Sequence, residues 1–420
     1  MSLWHKPLVC CVNMKVLWIS GSPSLYDEQT YGGWVSALER IVRKNCPQIE
    51  LGITFEHTDD TFKEQRKNVT YYPLKVRKTA KDIWKMKWNG NDDWYLKGPL
   101  LHKVIDDFKP DIIQCFGSEW NWGLISKETN VPVVIHMQGF RNIYVHASKQ
   151  VKKTSPSILN NLFHPRNFLQ RLFLKSYSKK ECETEKEIMK SCRFFMGRTA
   201  WDNNIVKYYG VDAEYFYCPE AIRPEIYESQ ERWSYKQKEK LQIVTIASAG
   251  QLKGNGVILE TAKLLKDLGV KFEWRVSGDK MIINSFERST KIDHKDVNVT
   301  LLGFIPATEV KNELLKADIY VLPSIIDNSP NSLCEAQLIG CPVVATYVGG
   351  VPQIVKNGET GVLYPYNEPH TLAFTLLELY EHPERLIKLS QKEIAVSHDR
   401  HNPQIIARTL QDIYVKILKQ

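Results

Sequence analysis

The sequence has 420 residues and contains no apolar run near the ~18 residues that mark a membrane-spanning helix. Its first residues lack the charged, apolar and small-residue regions of a secretory signal peptide. Residues 1–13 are expected to be a leader that precedes the first strand. With 43% hydrophobic and 25% charged residues, the composition excludes disorder, collagen-like structure and a coiled-coil fibre. We therefore predict a folded cytoplasmic protein.

Closely paired cysteines are also missing. Nine cysteines occur, an odd number, and no two of them have the C-x-x-C spacing. A disulfide framework and a zinc site both require closer pairing, so reduced and mostly buried thiols are predicted.

The loop SGSPS after the first predicted strand lacks the G-x-G-x-x-G pattern, which argues against a dinucleotide dehydrogenase.

Acidic residues are absent from the basic segment, residues 141–180, which carries nine Lys or Arg side chains. This segment accounts for the net charge of +8, and the rest of the chain is nearly neutral, so nucleic acid is not an expected partner. Within it, apolar residues of 157–177 recur near helical spacing between cations, as in interfacial amphipathic helices. Two interpretations stay open: peripheral docking on the anionic inner face of a membrane, or packing on the first domain.

Strand-like apolar runs alternate with amphipathic helical segments along most of the chain. This alternation predicts an α/β fold with two doubly wound, Rossmann-like domains that face a cleft. The first domain is predicted over residues 1–222, a polar linker over 223–240 and the second domain over 241–400. Residues 401–420 are predicted to be a helix that crosses back to the first domain. Ligands of such sheets bind beyond the carboxyl ends of the strands.

The densest signal is the stretch 323–352, which reads PSIIDNSPNSLCEAQLIGCPVVATYVGGVP. Ser329 and Pro330 suit the N-cap and first position of a helix that ends at Gly340. Free N–H groups at the start of such a helix suit a phosphate. Asp327 lies just before the helix and Glu335 in its early turns, so both are expected to face one ligand.

The order of motifs in this stretch is PS, an acid-x7-acid pair and A-x3-G-x-PVVA-x3-GG-xP. Gly361, in GETGV, follows shortly after it. It resembles the nucleotide-sugar signature of the retaining glycosyltransferases of family 4, the "group 1" glycosyltransferases. The resemblance is most specific over residues 319–366 and extends more weakly over nearly the whole chain. It implies the GT-B fold, with an acceptor-side first domain and a second domain that binds a nucleotide-diphospho-sugar.

The resemblance assigns roles to residues of the second domain. The first acid of the family's pair contacts hydroxyls of the donor sugar, and here it is Asp327 in place of the usual Glu. The second acid, Glu335, is implied to bind the ribose hydroxyls of the nucleotide. Amides around Asn331 and Ser332 are implied to lie near the sugar and diphosphate. Gly350, in the glycine pair after the next strand, would let backbone approach the ligand closely.

A Gly-Arg … Lys-Gly element of the family neutralises the diphosphate leaving group. Lys253 and Gly254 match the second half of this element, whereas Ser248 stands at the Arg position. Lys253 is therefore the implied catalytic cation. Arg275, or an arginine from the first domain, is the candidate for the missing second cation.

The resemblance implies three sites in the first domain, and each of them also has a structural interpretation. Gly32 and Gly33 resemble a glycine pair that approaches the donor phosphates, and a plain helix-start turn is the alternative. His136 follows the strand VPVVI, where the family often has a catalytic histidine, although strand-end histidines are commonly structural. Arg198 resembles a residue of a loop facing the cleft, with a surface salt-bridge partner as the alternative.

The implied reaction transfers a sugar, with retention, from a nucleotide-diphospho-sugar to a glycan or lipid-linked acceptor in polysaccharide biosynthesis. Such a reaction depends on positioning and phosphate stabilisation more than on a strong base, so no protein nucleophile is expected. No D-x-D triplet occurs, and neither a metal nor another cofactor is expected. Two alternatives stay open: a sugar-nucleotide epimerase of the same fold, and a non-catalytic, membrane-associated protein that binds sugar nucleotides.

Overall fold

The computed structural model describes residues 13–27, 33–58, 61–88, 92–154, 179–246 and 250–420. Within them the chain forms two separate sheets, one in each half. Nearly all of their strands are parallel, and apolar runs such as MKVLWIS and IYVL are buried on both faces. The predicted α/β class with two doubly wound sheets is thereby confirmed.

The first sheet is built by the N-terminal half of the chain. Its strands are β1 (Met14–Ser20), β2 (Ile49–Glu56), β3 (Glu64–Arg66), β4 (Val69–Leu74), β5 (Ile112–Phe116), β6 (Val133–His136), β7 (Phe194–Gly197) and β8 (Glu214–Tyr217). They are ordered β3-β4-β2-β1-β5-β6-β7-β8, and only β3 runs antiparallel to its neighbour. The register aligns Phe116, His136 and Met196 at the carboxyl ends of three adjacent strands.

The second sheet is entirely parallel. Its strands are β9 (Leu241–Ile246), β10 (Phe272–Ser277), β11 (Val299–Gly303), β12 (Ile319–Leu322), β13 (Val343–Thr346) and β14 (Val362–Tyr364). They are ordered β11-β10-β9-β12-β13-β14, so the chain reverses its direction of travel between β9 and β12. Such a reversal point is where open α/β sheets bind ligands.

Helices cover the faces of both sheets. Those of the N-terminal half are α1 (Trp34–Asn45), α2 (Ala80–Trp88), α3 (Trp94–Phe108), α4 (Arg141–Thr154), α5 (179–191) and α6 (Ala200–Tyr209). Those that follow are α7 (Pro224–Tyr227), α8 (Asn255–Asp267), α9 (Lys280–Thr290), α10 (Ala307–Lys316), α11 (Asn331–Ile339), α12 (Val351–Ile354), α13 (Pro369–Glu381), α14 (Pro383–Arg400) and α15 (Pro403–Leu418). Short 3₁₀ turns lie at Asn121–Lys127, Gln251–Lys253 and His294–Val297.

The last helix, α15, packs on the first sheet although it follows the second sheet in the chain. Its apolar side, which includes Leu410, Ile413 and Tyr414, is buried in the same core as β1 and α1. Asn402 caps the helix, since its side chain accepts hydrogen bonds from the N–H groups of the first turn. The C-terminus therefore contributes to the packing of the first sheet.

Residues 223–240, expected as a linker, pack against the second sheet. Ile226 and Trp233 belong to the core of that sheet and are 0% and 6% exposed. The Trp233 indole N–H donates a hydrogen bond of 2.7 Å to the carbonyl of Ala317. Two apolar anchors within a strongly charged stretch do not produce a periodic pattern, so this packing could not be predicted from the sequence.

Several sequence-based expectations fall on residues that the structure does not describe. The leader, Gly32, Ser248 and the amphipathic stretch of the basic segment lie outside the described residues. No helix of the described part combines the length and apolar character needed to cross a membrane. The described cysteines are free thiols, and all of them except Cys182 are buried.

Candidate functional site

A cavity of about 320 Å³ lies between the two sheets. The second sheet lines it at the carboxyl ends of β9, β10 and β12, and α11 lines it with its first turns. Trp34 of the N-terminal half and the connecting segment 221–223 complete the lining. The chain therefore forms a cleft where doubly wound sheets bind ligands.

Glu335 faces this cavity from the second turn of α11 and is ion-paired with Arg223. The pair is bidentate, with 2.8 Å from Arg223 Nε to Glu335 Oε1 and 2.7 Å from Nη2 to Oε2. Glu335 is 3% exposed, and each of its oxygens retains an acceptor site that a ligand hydroxyl can use. Arg223 was missed by sequence reasoning because it lies at the start of the segment interpreted as a linker.

Lys253 and Asp327 contact each other on the same side of the cavity. Lys253 Nζ lies 2.6 Å from Asp327 Oδ2, which also accepts a hydrogen bond of 3.0 Å from the Ser324 hydroxyl. Gly254 permits this turn, because its φ is +73° and a Cβ there would lie 1.8 Å from the carbonyl oxygen of Pro323. The two residues implied to serve phosphate and sugar are thus paired with each other.

The start of α11 differs by one residue from the expectation. Pro330 occupies the N-cap position, and the Ser329 hydroxyl donates instead to the buried carboxylate of Glu220. Asn331 and Ser332 both line the cavity. Asn331 Oδ1 is buried without a hydrogen-bond partner among the described residues, so the first turn of α11 offers a polar group to a ligand.

Gly350 and its neighbour Gly349 lie against protein backbone. A Cβ on Gly349 would lie 1.9 Å from the carbonyl oxygen of Asp327, and one on Gly350 would lie 2.3 Å from that of Asn328. This close packing explains why glycine is required in the loop. The glycine pair supports the Asp327 loop from behind.

His136 lies at the end of β6 and is 1% exposed. Its ring stacks on Phe116, with centroids 5.7 Å apart, and meets the edge of Trp34 at 4.8 Å. Its Nδ1 lies 3.2 Å from Gln114 Nε2, whereas its Nε2 is buried without a partner in the described residues. Burial lowers the pKa of His136 well below its usual value, and nearby Arg198 lowers it further, so the ring is neutral.

Arg198 is not a surface residue, which removes the salt-bridge alternative. It is 7% exposed, and its guanidinium lies over the Trp34 ring at 4.7 Å. Its Nη2 lies 3.4 Å from the carbonyl oxygen of Met137, and its Nε has no partner among the described residues.

Gly33 caps the helix that begins with Trp34, and a Cβ on Gly33 would meet nothing within 4 Å.

Glu119 was missed by sequence reasoning. It follows β5 at the same edge of the sheet as His136, and its Oε2 is buried without a partner in the part of the chain described. Burial raises the pKa of Glu119 to about 7, with a contribution from Glu185. Burial raises the pKa of Tyr144 well above its usual value, and the charges of Asp327 and Glu119 raise it further. An acidic residue directly after a buried strand is the signal that could have identified Glu119.

Asn328 joins the two halves of the cleft. Its Nδ2 donates a hydrogen bond of 2.7 Å to Asp202 Oδ1, and its Oδ1 accepts one of 2.9 Å from the Thr199 hydroxyl. Thr199 and Asp202 also form the capping box of α6. The loop that carries Asp327 is therefore tied to the loop that carries Arg198.

Arg275 does not supply the missing second cation. Its Nε lies 2.5 Å from Glu313 Oε2, and its Nη1 lies 3.6 Å from Glu273 Oε2. It does not line the cavity. Arg223 is the arginine that the described residues bring into the cavity, and it is the better candidate.

The sequence of the second half matches a known family. Residues 228–395 match the family described as Glycosyl transferases group 1. WcaL of Escherichia coli, which is assigned by name to colanic acid biosynthesis as a glycosyltransferase, is 34% identical over 185 residues, 40% of this chain and 44% of WcaL. The amylovoran biosynthesis glycosyltransferase AmsK of Erwinia amylovora is 28% identical over 43% of this chain and 46% of AmsK. The chain thus spans about half the length of the curated relatives it matches.

Solved structures resemble the fold along the whole chain. Sucrose-phosphate synthase from Thermosynechococcus elongatus has a TM-score of 0.72 at 12% identity and covers 97% of this chain and 99% of its own. HepE of Anabaena, in complex with UDP and glucose, has a TM-score of 0.64 at 14% identity, over 95% and 98% of the two chains. The fold is GT-B, and residues 228–395 of the second half match the group 1 glycosyl transferases, in agreement with the resemblance identified from the motifs.

Proposed function

We propose that the protein is a retaining glycosyltransferase that moves a sugar from a nucleotide-diphospho-sugar to a glycan or lipid-linked acceptor in polysaccharide biosynthesis. The observation that carries the proposal is the cleft itself. It brings Lys253, Arg223 and the start of α11 together around one cavity, with Asp327 and Glu335 beside them. The names of WcaL and AmsK, which refer to colanic acid and amylovoran biosynthesis, support a role in polysaccharide biosynthesis.

In this proposal the second domain binds the donor. Glu335 accepts hydrogen bonds from the ribose hydroxyls, Asp327 contacts the sugar, and amides near Asn331 and Ser332 approach the diphosphate. The α11 N-terminus and Lys253 stabilise the negative charge of the phosphates, since helix N-termini and ammonium groups both favour anions. Binding of the diphosphate would separate Lys253 from Asp327 and leave the carboxylate free for sugar hydroxyls.

The reaction breaks the bond between the anomeric carbon and the diphosphate oxygen and forms one to an acceptor oxygen on the same face. The acceptor proton passes to the departing phosphate, so no protein base is required, and direct attack by the acceptor on the same face requires no protein nucleophile. Negative charge grows on that phosphate in the transition state, which makes Lys253 and Arg223 most effective there. With two cations and a helix N-terminus at the diphosphate, the proposed reaction proceeds without a metal.

The experiment is a thermal-shift screen of nucleotide sugars followed by turnover of each binder. A ligand at 100 times its dissociation constant stabilises a protein by about 2.7 kcal/mol, which is easily detected. Addition of EDTA is expected to leave turnover unchanged, and the product is expected to keep the anomeric configuration of the donor by NMR. Interconversion of the donor without an acceptor would instead establish an epimerase, and binding without turnover would establish a non-catalytic protein.

Peripheral attachment to the inner face of a membrane is part of the proposal. The basic segment supports it, since each cation near an anionic surface contributes about 1 kcal/mol. We expect co-sedimentation with anionic vesicles that weakens at high salt and is absent with neutral vesicles. The test variant replaces five cations of the segment by Gln: Lys149, Lys152, Lys153, Arg166 and Arg171.

A control variant of equal charge change replaces five exposed lysines elsewhere by Gln: Lys103, Lys207, Lys236, Lys240 and Lys388. Loss of binding in the test variant alone supports docking through the basic segment. Equal partitioning to neutral and anionic vesicles, or equal loss in both variants, would leave the segment as a packing element.

A further inference from the structure

Four buried side chains from four separate elements form a continuous hydrogen-bond chain that ends at His136. Trp18 Nε1 lies 3.0 Å from the Tyr414 hydroxyl, and that hydroxyl lies 2.5 Å from Gln114 Oε1. Gln114 Nε2 then lies 3.2 Å from His136 Nδ1. None of the four residues is more than 1% exposed, so water cannot substitute for these bonds.

The chemistry of the groups gives this chain one direction. The indole N–H of Trp18 only donates, so the Tyr414 hydroxyl accepts from it. The proton of that hydroxyl then needs an acceptor, and Gln114 Oε1 is the one at hand. The amide N–H₂ of Gln114 must therefore face His136 Nδ1. The opposite amide orientation would leave the buried Tyr414 proton without an acceptor, which is unfavourable.

This direction determines which nitrogen of His136 carries the proton. Nδ1 accepts from Gln114, and because the ring is neutral its single proton resides on Nε2. That N–H has no partner among the described residues. The positive charge of Arg198 also disfavours a second proton on the ring.

We propose that Trp18, Tyr414 and Gln114 are positioning residues that hold His136 as an Nε2–H donor, available to an oxygen of the bound sugar. The part that concerns the sugar rests on the proposed glycosyltransferase function. In this arrangement His136 serves as a hydrogen-bond donor and not as a base. Tyr414 lies on α15, so the C-terminal helix takes part in organising the site although it is remote from it in sequence.

The tautomer can be measured on the full-length protein without any ligand. Long-range ¹H–¹⁵N NMR spectra of protein labelled with ¹⁵N-histidine report which ring nitrogen is protonated, and the His136→Asn variant identifies the signals of His136. For the wild type we expect protonation at Nε2 and no titration between pH 5.5 and 8.5. Protonation at Nδ1, or a charged ring within this range, would overturn the proposal.

Two variants test the direction of the chain. Gln114→Glu places a carboxylate opposite Nδ1, so the proton should move to Nδ1. Tyr414→Phe removes the hydroxyl that orients the Gln114 amide, so both tautomers should appear. Tyr71→Phe is the matched control, because Tyr71 is another buried tyrosine of this domain whose hydroxyl bonds to Glu39. If Gln114→Glu does not fold, Tyr414→Phe decides alone: a His136 spectrum equal to that of Tyr71→Phe contradicts the proposal.

The contribution to sugar binding is measured separately. With a donor from the screen above, Tyr414→Phe should raise KM relative to Tyr71→Phe by the inverse of the fraction of His136 that keeps the Nε2 proton, about twofold for an equal mixture of tautomers. Equal KM values in these two variants would contradict this part of the proposal. A wild type that shows the expected tautomer but turns over no nucleotide sugar would contradict the glycosyltransferase function and leave the positioning role intact.

Discussion

The polar side chains on the two sides of the cleft differ in whether they have partners within the protein. On the side of the second domain, the charged groups are paired with one another, Arg223 with Glu335 and Lys253 with Asp327. On the side of the first domain, buried polar atoms of His136, Arg198 and Glu119 have no partner among the described residues. Charges on the second side are therefore compensated within the protein, whereas most of the unpartnered buried polar atoms named in this site lie on the first side, with Asn331 Oδ1 as the exception on the second.

This difference indicates how each side would respond to a ligand. The ion pairs of the second side keep charges compensated while the cleft is empty, and a charged ligand must exchange partners with them. The unpaired atoms of the first side are buried donors and acceptors without hydrogen bonds, which is unfavourable until a ligand binds to them. We expect substitutions on the second side to act mainly on charge, and those on the first side to act on hydrogen bonding and pH dependence.

The largest effect is expected for Lys253→Ala. Loss of a charge aimed at the leaving phosphate should lower kcat by about 10²–10³-fold with a smaller change in donor affinity. Steady-state kinetics with a donor from the screen provide the measurement. Lys263→Ala, which removes an exposed lysine paired with Asp267 on α8, is the control and should leave kcat unchanged. Wild-type turnover in Lys253→Ala would show that the leaving group is stabilised elsewhere.

A smaller effect is expected for Glu335→Gln, which keeps the shape of the side chain and removes its charge. Hydrogen bonds to charged groups contribute roughly 1.5–3 kcal/mol, so donor affinity should fall by about 10- to 100-fold. Isothermal titration with the donor is the measurement.

Because Glu335→Gln also leaves the Arg223 charge unpaired, the double variant with Arg223→Met is needed to separate ion pairing from ligand contact. If the double variant binds the donor more weakly than Arg223→Met alone, Glu335 contacts the ligand directly. Wild-type affinity in a folded Glu335→Gln protein would exclude its role in binding the ribose.

On the first side, Glu119→Gln is expected to change how stability depends on pH. The pKa of Glu119 is about 7 in the folded protein, above its ordinary value of 4.5. Between these values the folded state binds more protons than the unfolded state, so this group makes the wild type less stable as pH rises from 4.5 to 7. Glu119→Gln removes this contribution and should gain on the order of 2 kcal/mol relative to the wild type between pH 5 and pH 8. Denaturant unfolding at the two pH values measures it, and parallel curves for both proteins would contradict the raised pKa.

The smallest effect on the fold is expected for Gly33→Ala. A Cβ there meets nothing within 4 Å, and φ of −82° is allowed for alanine, so stability should change by less than about 1 kcal/mol. If Gly33 provides room for the donor phosphates, KM for the donor should nevertheless rise. An unchanged KM would favour the plain helix-start turn.

The sequence permitted prediction of the fold class and most of the second side of the cleft. Strand and helix periodicity, the helix ended by Gly340 and the motif order around Asp327 and Glu335 are local signals, readable over a few turns of chain. Lys253 was implied by the match of Lys253 and Gly254 to the Gly-Arg … Lys-Gly element of the family, with support from its position after a buried strand. These features can be predicted from the sequence because hydrophobic patterning and helix capping depend on residues that are neighbours in the sequence.

Tertiary structure decided which groups are partners. Arg223 and Glu335 are 112 positions apart, and Tyr414 and Gln114 are 300 positions apart. Neither contact leaves a pattern in the local sequence. The first depends on how the chain crosses from one sheet to the next, and the second depends on the return of α15 to the first sheet. The raised pKa of Glu119 and the neutral ring of His136 follow from burial, which is a property of the assembled sheets. The sequence by itself thus determined the elements and their order, while packing determined the charge, protonation and pairing of the residues that face the cleft.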